Sequence, residues 1–249
     1  IYGCLVGSEM CIRDRLGYGA MVFNALGPDN EFRKDAMSKG LSVLEKINKQ
    51  CLEENIEADS LAKEIYRSTA ENSEEDQLAG MLVRSLLSAG IDTTVSAIGN
   101  LLWCLAENPE QFQLVKNDKS LVGNAVEESL RLTSPVKAFC RTSATDTEVS
   151  GVVIEEGTKI LCVLGSANTD PEVWENSYKY DVTRRTIGHL ALGVGVHNCV
   201  GQTLARAEIT ALASSLTELV QVIKPAGKAT WKPNNAMRSL ASLPIILEP

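Results

Sequence analysis

The chain has no excess of basic residues, no CxxC pair, no internal repeat and no low-complexity tract. Each absence removes a class of function. Lys and Arg number 24 against 32 Asp and Glu, a net charge of −8, so there is no cationic field of the kind that captures nucleic-acid phosphates. The cysteines (Cys4, Cys11, Cys51, Cys104, Cys140, Cys162 and Cys199) are an odd set of seven, which fits reduced thiols in a cytoplasm better than a disulfide framework. The most apolar stretch, Leu82 to Ala106, is interrupted by Arg84, Asp92 and Asn100 and is expected to fall short of an uninterrupted bilayer span. Neither nucleic acid nor membrane is therefore an expected partner. What remains is ordinary globular material: hydrophobic residues at 44% and charged residues at 22% of 249 predict a real core and exclude disorder. Length alone leaves one large domain or two small ones open.

Leu5 to Arg15 reads LVGSEMCIRDR, the translation of consecutive codons resembling a transposase-based sequencing adapter. Residues 1–15 are accordingly read as a translated adapter scar and set aside from fold reasoning. The natural protein is then expected to extend further upstream.

After a Gly-bearing segment with Asn24, Gly27, Pro28 and Asp29, apolar residues at mostly three- and four-residue spacings predict a helix over 29–54, and a second, short one over 61–67. The polar segment Ser68 to Asp76 ends in acids that suit a helix N-terminus. From Glu75 to Glu107 there is no proline and the pattern is apolar almost all round, so one long helix, buried along most of its length, is expected. Pro109 is a stop signal, with shorter helices expected at 110–115 and 121–132. Strand-like pieces follow: 148–154, a turn at Glu155 to Gly157, then 158–163, read together as a hairpin. A Gly-rich stretch, His189 to Gly201, runs into a last long helix over 200–220, and the tail from Pro225 reads as loops and short strands. The fold class expected is mainly α with a minor β component.

Three motifs carry chemistry. In Leu192-Gly193-Val194-Gly195-Val196-His197-Asn198-Cys199-Val200-Gly201 a glycine-spaced loop sets one cysteine at the start of a predicted helix. There the helix dipole and free backbone N–H groups favour negative charge, suiting the sulfur to bind a metal. Gly193, Gly195 and Gly201 allow the backbone to lie close against a flat cofactor. Glu128-Ser129-Leu130-Arg131 sets a glutamate and an arginine three apart on one helix face, worth only ~0.2–0.5 kcal/mol if exposed. Ala89-Gly90-Ile91-Asp92-Thr93-Thr94 sets a small residue, an acid and a hydroxyl together on the long apolar helix. Gly90 costs helix stability but leaves room, and Asp92 beside Thr93 can relay protons.

In their order along the chain the three motifs resemble those of the cytochrome P-450 family, and the likeness runs from Leu16 to Pro249. The resemblance implies the C-terminal part of a single haem domain with the cytochrome P-450 fold. Cys199 would be the thiolate ligand to iron of haem b (iron protoporphyrin IX), with Gly193, Gly195, Gly201, Ala89 and Gly90 beside the cofactor. Leu192 departs from the pattern, which usually has phenylalanine there; leucine keeps the apolar surroundings of the sulfur but can shift its redox potential. Glu128 and Arg131 would join Arg184 in a buried structural triad, Asp92 and Thr93 would deliver protons and position dioxygen, and Arg141 and His197 would bind haem propionates.

Tyr180-Asp181-Val182-Thr183-Arg184-Arg185, followed by Gly188-His189-Leu190, and the histidine at 197 resemble the soluble bacterial class, which implies electrons from a ferredoxin served by an NAD(P)H-dependent reductase. Leu82-Val83-Arg84-Ser85-Leu86-Leu87-Ser88-Ala89-Gly90, Ser134-Pro135-Val136 and Gly195-Val196-His197 resemble bacterial enzymes that oxidise para-substituted benzoic acids. Ser85 lies eight residues, or ~12 Å, before Thr93 along one helix, roughly the span of an aromatic acid. Arg84 or Ser85 would hold the carboxylate, and Val136 and Phe139 would line the ring. The reaction implied is insertion of one oxygen atom into a C–H bond, giving hydroxylation or O-demethylation. Two rivals stand beside it: a haem-binding module without turnover, and a fragment unable to work without its N-terminal part.

Overall fold

Residues 12–70 and 78–249 are described by the computed structural model. Cys4, Cys11, most of the adapter stretch, the polar segment beyond Ala70 and the start of the helix expected from Glu75 lie outside the described residues. The chain divides into two compact units, Ile1–Thr93 and Thr94–Pro249.

In the first unit α1 (Ile12–Ala25) and α2 (Glu31–Gln50) precede α3 (Leu61–Ala70) and α4 (Ala79–Gly90). Asn30 caps α2, its side chain accepting from the Arg33 amide at 3.0 Å, which satisfies one of the free donors of the first turn. Ile47 and Cys51, one turn apart, meet Val83 and Leu87, also one turn apart, around Tyr18, Ile56 and Ala62 in a buried cluster. The segment ahead of Gly27, read only as Gly-bearing, is helical. Tyr18, Met21 and Val22 give it an apolar stripe that outweighs the propensity cost of glycine.

At Ile91 the expected long helix is interrupted, α4 ending at Gly90 and α5 spanning Asp92–Glu107. The segment is also less buried than expected: Met81, Leu82 and Val95 are exposed. By length and composition Ala79–Glu107 is apolar enough to cross a membrane, Arg84, Asp92 and Asn100 notwithstanding.

The second unit continues with α6 (Pro109–Asn117) and α7 (Val122–Thr133), then β1 (Phe139–Thr142), β2 (Thr147–Val149), β3 (Val152–Ile154), β4 (Lys159–Cys162) and the short α8 (Leu164–Ala167). It closes with α9 (Gln202–Leu219) and strands β5 (Val222–Pro225), β6 (Thr230–Lys232), β7 (Ser239–Ser242) and β8 (Ile245–Glu248). The core gathers Leu101, Cys104 and Leu105 of α5, Phe112 and Val115 of α6, Val126 and Leu130 of α7 and Ile209 and Ala213 of α9, with Tyr180, Val182 and Ile223.

The strand pairing corrects the sequence reading. β2 pairs with β3 across Ser150-Gly151, and β4 pairs with β1, not with 148–154. Ser150 and Gly151 both have positive φ, 51° and 79°, which is what a two-residue hairpin turn matching the strand twist requires. The turn at Glu155 to Gly157 instead joins two different sheets. The remaining strands pair antiparallel as β5–β8 and β6–β7, and an isolated bridge links Val136 to Met237.

Candidate functional site

The loop before α9 is built around backbone that only glycine adopts without strain. Gly193 has φ 72° and Gly195 φ 65°, and a Cβ added at 193 would lie 2.8 Å from the His197 carbonyl oxygen. One helical turn over Gly195–His197 brings the chain back, so that the Cys199 amide donates to Leu192 O at 2.8 Å and the Gln202 amide to Cys199 O at 3.3 Å. Gly193→Ala is expected to cost about 1–3 kcal/mol through strain alone, read as a lower denaturation midpoint; an unchanged midpoint would mean that the loop relaxes freely.

Cys199 is half-exposed, and the valines around it are turned outward: Val194 is 70% exposed, Val196 98% and Val200 86%. Three exposed apolar side chains thus flank one half-exposed sulfur along the loop, with His197 and Asn198 exposed between them. Among the described residues no group of three or more His, Cys, Asp or Glu could hold a metal ion by itself. A single accessible sulfur in a loop of exposed apolar side chains suits a metal already carried in a flat apolar macrocycle, so the donor set fits haem.

Of the other expected site residues in this unit, His197 is exposed. Arg141 is exposed on β1, donating to its neighbour Cys140 O at 3.0 Å, with its guanidinium 5.7 Å from the Phe139 ring centre. Val136 and Phe139 are half-buried. In the first unit, Arg84 donates to Asn48 Oδ1 at 2.7 Å, and Ser85 donates back to Met81 O at 2.8 Å. Ala89 and Gly90 are exposed, and Thr93 Oγ1 donates to Ala89 O at 2.6 Å. Asp92 lies against α1 so closely that a Cβ on Gly19 would fall 2.4 Å from its Oδ2.

Glu128 meets Arg131, its neighbour on the helix face, and Arg184, which only the family resemblance had joined to them. Glu128 and Arg131 both have side chains at 0% exposure, joined by Nε to Oε2 at 2.7 Å and Nη2 to Oε1 at 2.9 Å. Arg184 adds its Nε to Oε1 at 3.0 Å. Arg131 also donates to Asn168 O and Ser177 O, at 2.6 and 2.8 Å, and stacks 5.2 Å from the Trp174 ring centre. A helix on one side and an irregular segment on the other are thus joined through one carboxylate.

A second network had not been read from the sequence. Glu127 accepts from His189 Nε2 at 2.8 Å and from Arg206 Nε and Nη2 at 2.6 and 3.1 Å. Its only sequence signal was its place immediately before Glu128. Burial alone would raise the Glu127 carboxyl, but hydrogen bonds from His189 and Arg206 and the Arg206 charge hold it at about 2 against an ordinary 4.5. Because the folded value lies below the unfolded one, the stability it contributes is complete above about 4.5 and lost as pH falls toward 2. Acid titration followed by circular dichroism should show this loss in the parent protein and less of it in Glu127→Gln; identical curves would place the acid transition elsewhere.

Two cavities of about 350 and 360 Å³ share Lys137 and Arg238 and are lined by none of the expected site residues. Arg238 lies 4.2 Å from the Trp231 ring centre and 5.5 Å from that of Trp103, an arrangement that satisfies the cation against two indole faces.

Residues 20–247 match the family described as cytochrome P-450. The chain belongs to that family. It is 42% identical over 234 residues to cytochrome P-450 CYP199A2 of Rhodopseudomonas palustris, covering 94% of this chain and 57% of that protein. It is 29% identical over 254 residues to the biotin biosynthesis cytochrome P-450 of Bacillus subtilis, covering 92% and 64%. Among solved structures, cytochrome P-450 CREJ in complex with (4-ethylphenyl) dihydrogen phosphate superposes at a TM-score of 0.87 and 26% identity, covering 99% of this chain and 63% of that one. The chain therefore spans about three-fifths of the length of these relatives. Cytochromes P-450 carry haem b and use dioxygen with electrons from redox partners.

Proposed function

We propose that this chain supplies the thiolate side of a haem monooxygenase that inserts one oxygen atom into a substrate C–H bond, by hydroxylation or O-demethylation. The observation that carries the reading is the Cys199 loop: one half-exposed sulfur flanked in the chain by exposed valines, three residues before a long helix. When bound, haem supplies the iron at which dioxygen is reduced by two electrons, one oxygen atom passing to the substrate and the other leaving as water. Cys199 contributes the thiolate, and the N-terminus of α9 favours its charge. His197 and Arg141 are exposed donors suited to the cofactor's carboxylates. Glu128, Arg131 and Arg184 hold the core behind the loop.

Asp92 and Thr93 are the proton-delivering pair in this reading. Replacing either by Asn or Ala, respectively, is expected to slow product formation by about 10²-fold while electron uptake and the thiolate spectrum persist. Unchanged product formation would remove them from that role. Arg84 or Ser85 would take the carboxylate of a para-substituted aromatic acid, with Val136 and Phe139 along its ring. The 42% identity to CYP199A2 supports that class, as does CREJ, whose bound (4-ethylphenyl) dihydrogen phosphate is itself a para-substituted aromatic carrying an acid group. Electrons would come from a ferredoxin with its NAD(P)H-dependent reductase, in the cytoplasm. Residues 16–249 would be one part of a single haem domain, residues 1–15 being foreign to it.

A second reading, a haem-binding fragment without turnover, is favoured by the 57% share of CYP199A2 that the chain covers. The test of both is a reduced, carbon monoxide difference spectrum on this chain beside a version extended to its relatives' length. A thiolate-type Soret band only in the extended protein supports the family chemistry and the fragment reading. A band in both means that this part makes a haem site alone. A band in neither removes Cys199 as ligand.

A further inference from the structure

Following the hydrogen bonds outward from Cys199 in both directions leads to the same side chain. On the entry side the Cys199 amide donates to Leu192 O at 2.8 Å, and the amide of the preceding Ala191 donates to His189 Nδ1 at 3.2 Å. An imidazole nitrogen that accepts cannot carry the proton, so His189 is protonated at Nε2 and donates from there to Glu127 Oε2 at 2.8 Å. On the exit side the Gln202 amide donates to Cys199 O at 3.3 Å, Gln202 Oε1 accepts from Arg206 Nη1 at 2.6 Å, and Arg206 Nε donates to Glu127 Oε1 at 2.6 Å.

We propose that Glu127 is the positioning residue of the Cys199 loop: one carboxylate on α7 that closes a hydrogen-bonded ring through both ends of the loop and fixes where the sulfur sits. Glu128, one residue on, serves the triad and touches neither end of this ring. The ring is held by a charged centre, since Arg206 and Glu127 form a bidentate pair, and such pairs are both stronger and more directional than neutral hydrogen bonds. Arg206 is held cationic first by its bond to Glu127, and a charge on Cys199 adds to that effect. The pair therefore sets one positive and one negative group in the electrostatic neighbourhood of the sulfur.

Glutamine at 127 has the shape of glutamate but offers one acceptor oxygen and one NH₂ donor. If the oxygen keeps Arg206, the NH₂ meets the His189 Nε2 proton, donor against donor. His189 can then bond only as its other tautomer, which gives up the Ala191 amide. If instead the oxygen takes the Oε2 place, it keeps His189 Nε2 and the 3.1 Å bond from Arg206 Nη2, and the NH₂ faces Arg206 Nε donor to donor, so that side is weakened rather than opened. Glu127→Ala opens it on both.

The experiment is hydrogen exchange by mass spectrometry on the haem-loaded protein and its Glu127→Ala, Glu127→Gln and Arg206→Gln variants. In Glu127→Ala the segment 189–200 is expected to exchange roughly tenfold faster, while 128–131 and 180–184 keep their protection. Glu127→Gln should give a smaller change in the same segment, and Arg206→Gln should loosen 199–206 and spare 189–192. Unchanged protection of 189–200 in Glu127→Ala overturns the proposal. So does loosening of the triad segments along with the loop, because Glu127 would then be a general fold residue.

The assignment also rests, for its electrostatic half, on the reading of Cys199 as haem ligand, and the haem reduction potential tests that half. Glu127→Gln leaves the positive partner and should raise the potential; Arg206→Gln leaves the negative partner and should lower it. Shifts of the same sign would reduce Glu127 to a mechanical role and overturn the electrostatic half. A loosened loop in a protein with no thiolate-type band supports the clamp and removes the ligand reading, so the two failures are distinguishable.

Discussion

Removing either partner at the centre of the triad, by Glu128→Ala or Arg131→Ala, is expected to destabilise the second unit by about 3–5 kcal/mol. Both side chains are fully buried, so each truncation strands an ion that water cannot reach. Against a typical domain stability of about 5–15 kcal/mol, much of the folded population is at risk. The two arginines should not be equivalent. Arg131 makes two bonds to Glu128 and two short ones to the carbonyls of Asn168 and Ser177, whereas Arg184 is partly exposed and gives Glu128 a single bond. Arg184→Ala leaves the carboxylate paired and should cost clearly less. Arg131→Lys should nearly match Arg131→Ala, because one ammonium cannot present the planar fork that reaches four acceptors. Urea midpoints of the four variants check the order; equal midpoints for Arg131→Ala and Arg184→Ala would show that the network does not centre on Arg131.

The second large effect is chemical. Cys199→Ala is expected to abolish the thiolate-type Soret band of the reduced, carbon monoxide-bound protein completely, while Cys104→Ala and Cys140→Ser leave it in place. The structure supplies the contrast among these thiols. Cys104 is fully buried, and burial pushes its thiol far above the ordinary range, so it stays neutral and inert. Cys140 is exposed on β1 and has no helix starting behind it. Among the described residues Cys162 is also half-exposed between exposed Leu161 and Val163, but only the four residues of α8 follow it, whereas a helix of 18 residues starts three residues after Cys199. A surviving band in Cys199→Ala would falsify the ligand assignment, and its loss in Cys140→Ser would move it.

The parts legible in the sequence were those in which spacing maps directly onto geometry. Glu128 and Arg131, three apart, had to share a helix face; the loop glycines, read as room for a flat cofactor, prove at 193 and 195 to be positions of positive φ. The helix end near Pro109 followed from a single residue whose backbone chemistry is local. What was missed depended on choices made between distant segments. The residues 158–163 have no local reason to prefer β1 over 148–154; the decision lies in Ser150-Gly151, which closes the nearer hairpin five residues ahead of the turn at 155–157. Glycine content hid α1, because the stripe of Tyr18, Met21 and Val22 acts only once α2 and α4 are there to cover it. Glu127 was invisible for the opposite reason: its partners, His189 and Arg206, lie 62 and 79 residues away, and no spacing rule reaches that far.

Glu127 and Glu128 also impose a condition on how the chain can change in length. One residue along a helix is a rotation of about 100°, which is why two adjacent carboxylates can face two separate arginines. Insertion or deletion of a single residue in α7 ahead of them would swing each carboxylate into the direction its neighbour held. Both networks would fail together, although every amino acid in them was still present. The Ser150-Gly151 hairpin, exposed and tied to no such network, should absorb the same insertion. Natural and engineered length variation is therefore expected at that hairpin and not in the twelve residues of α7.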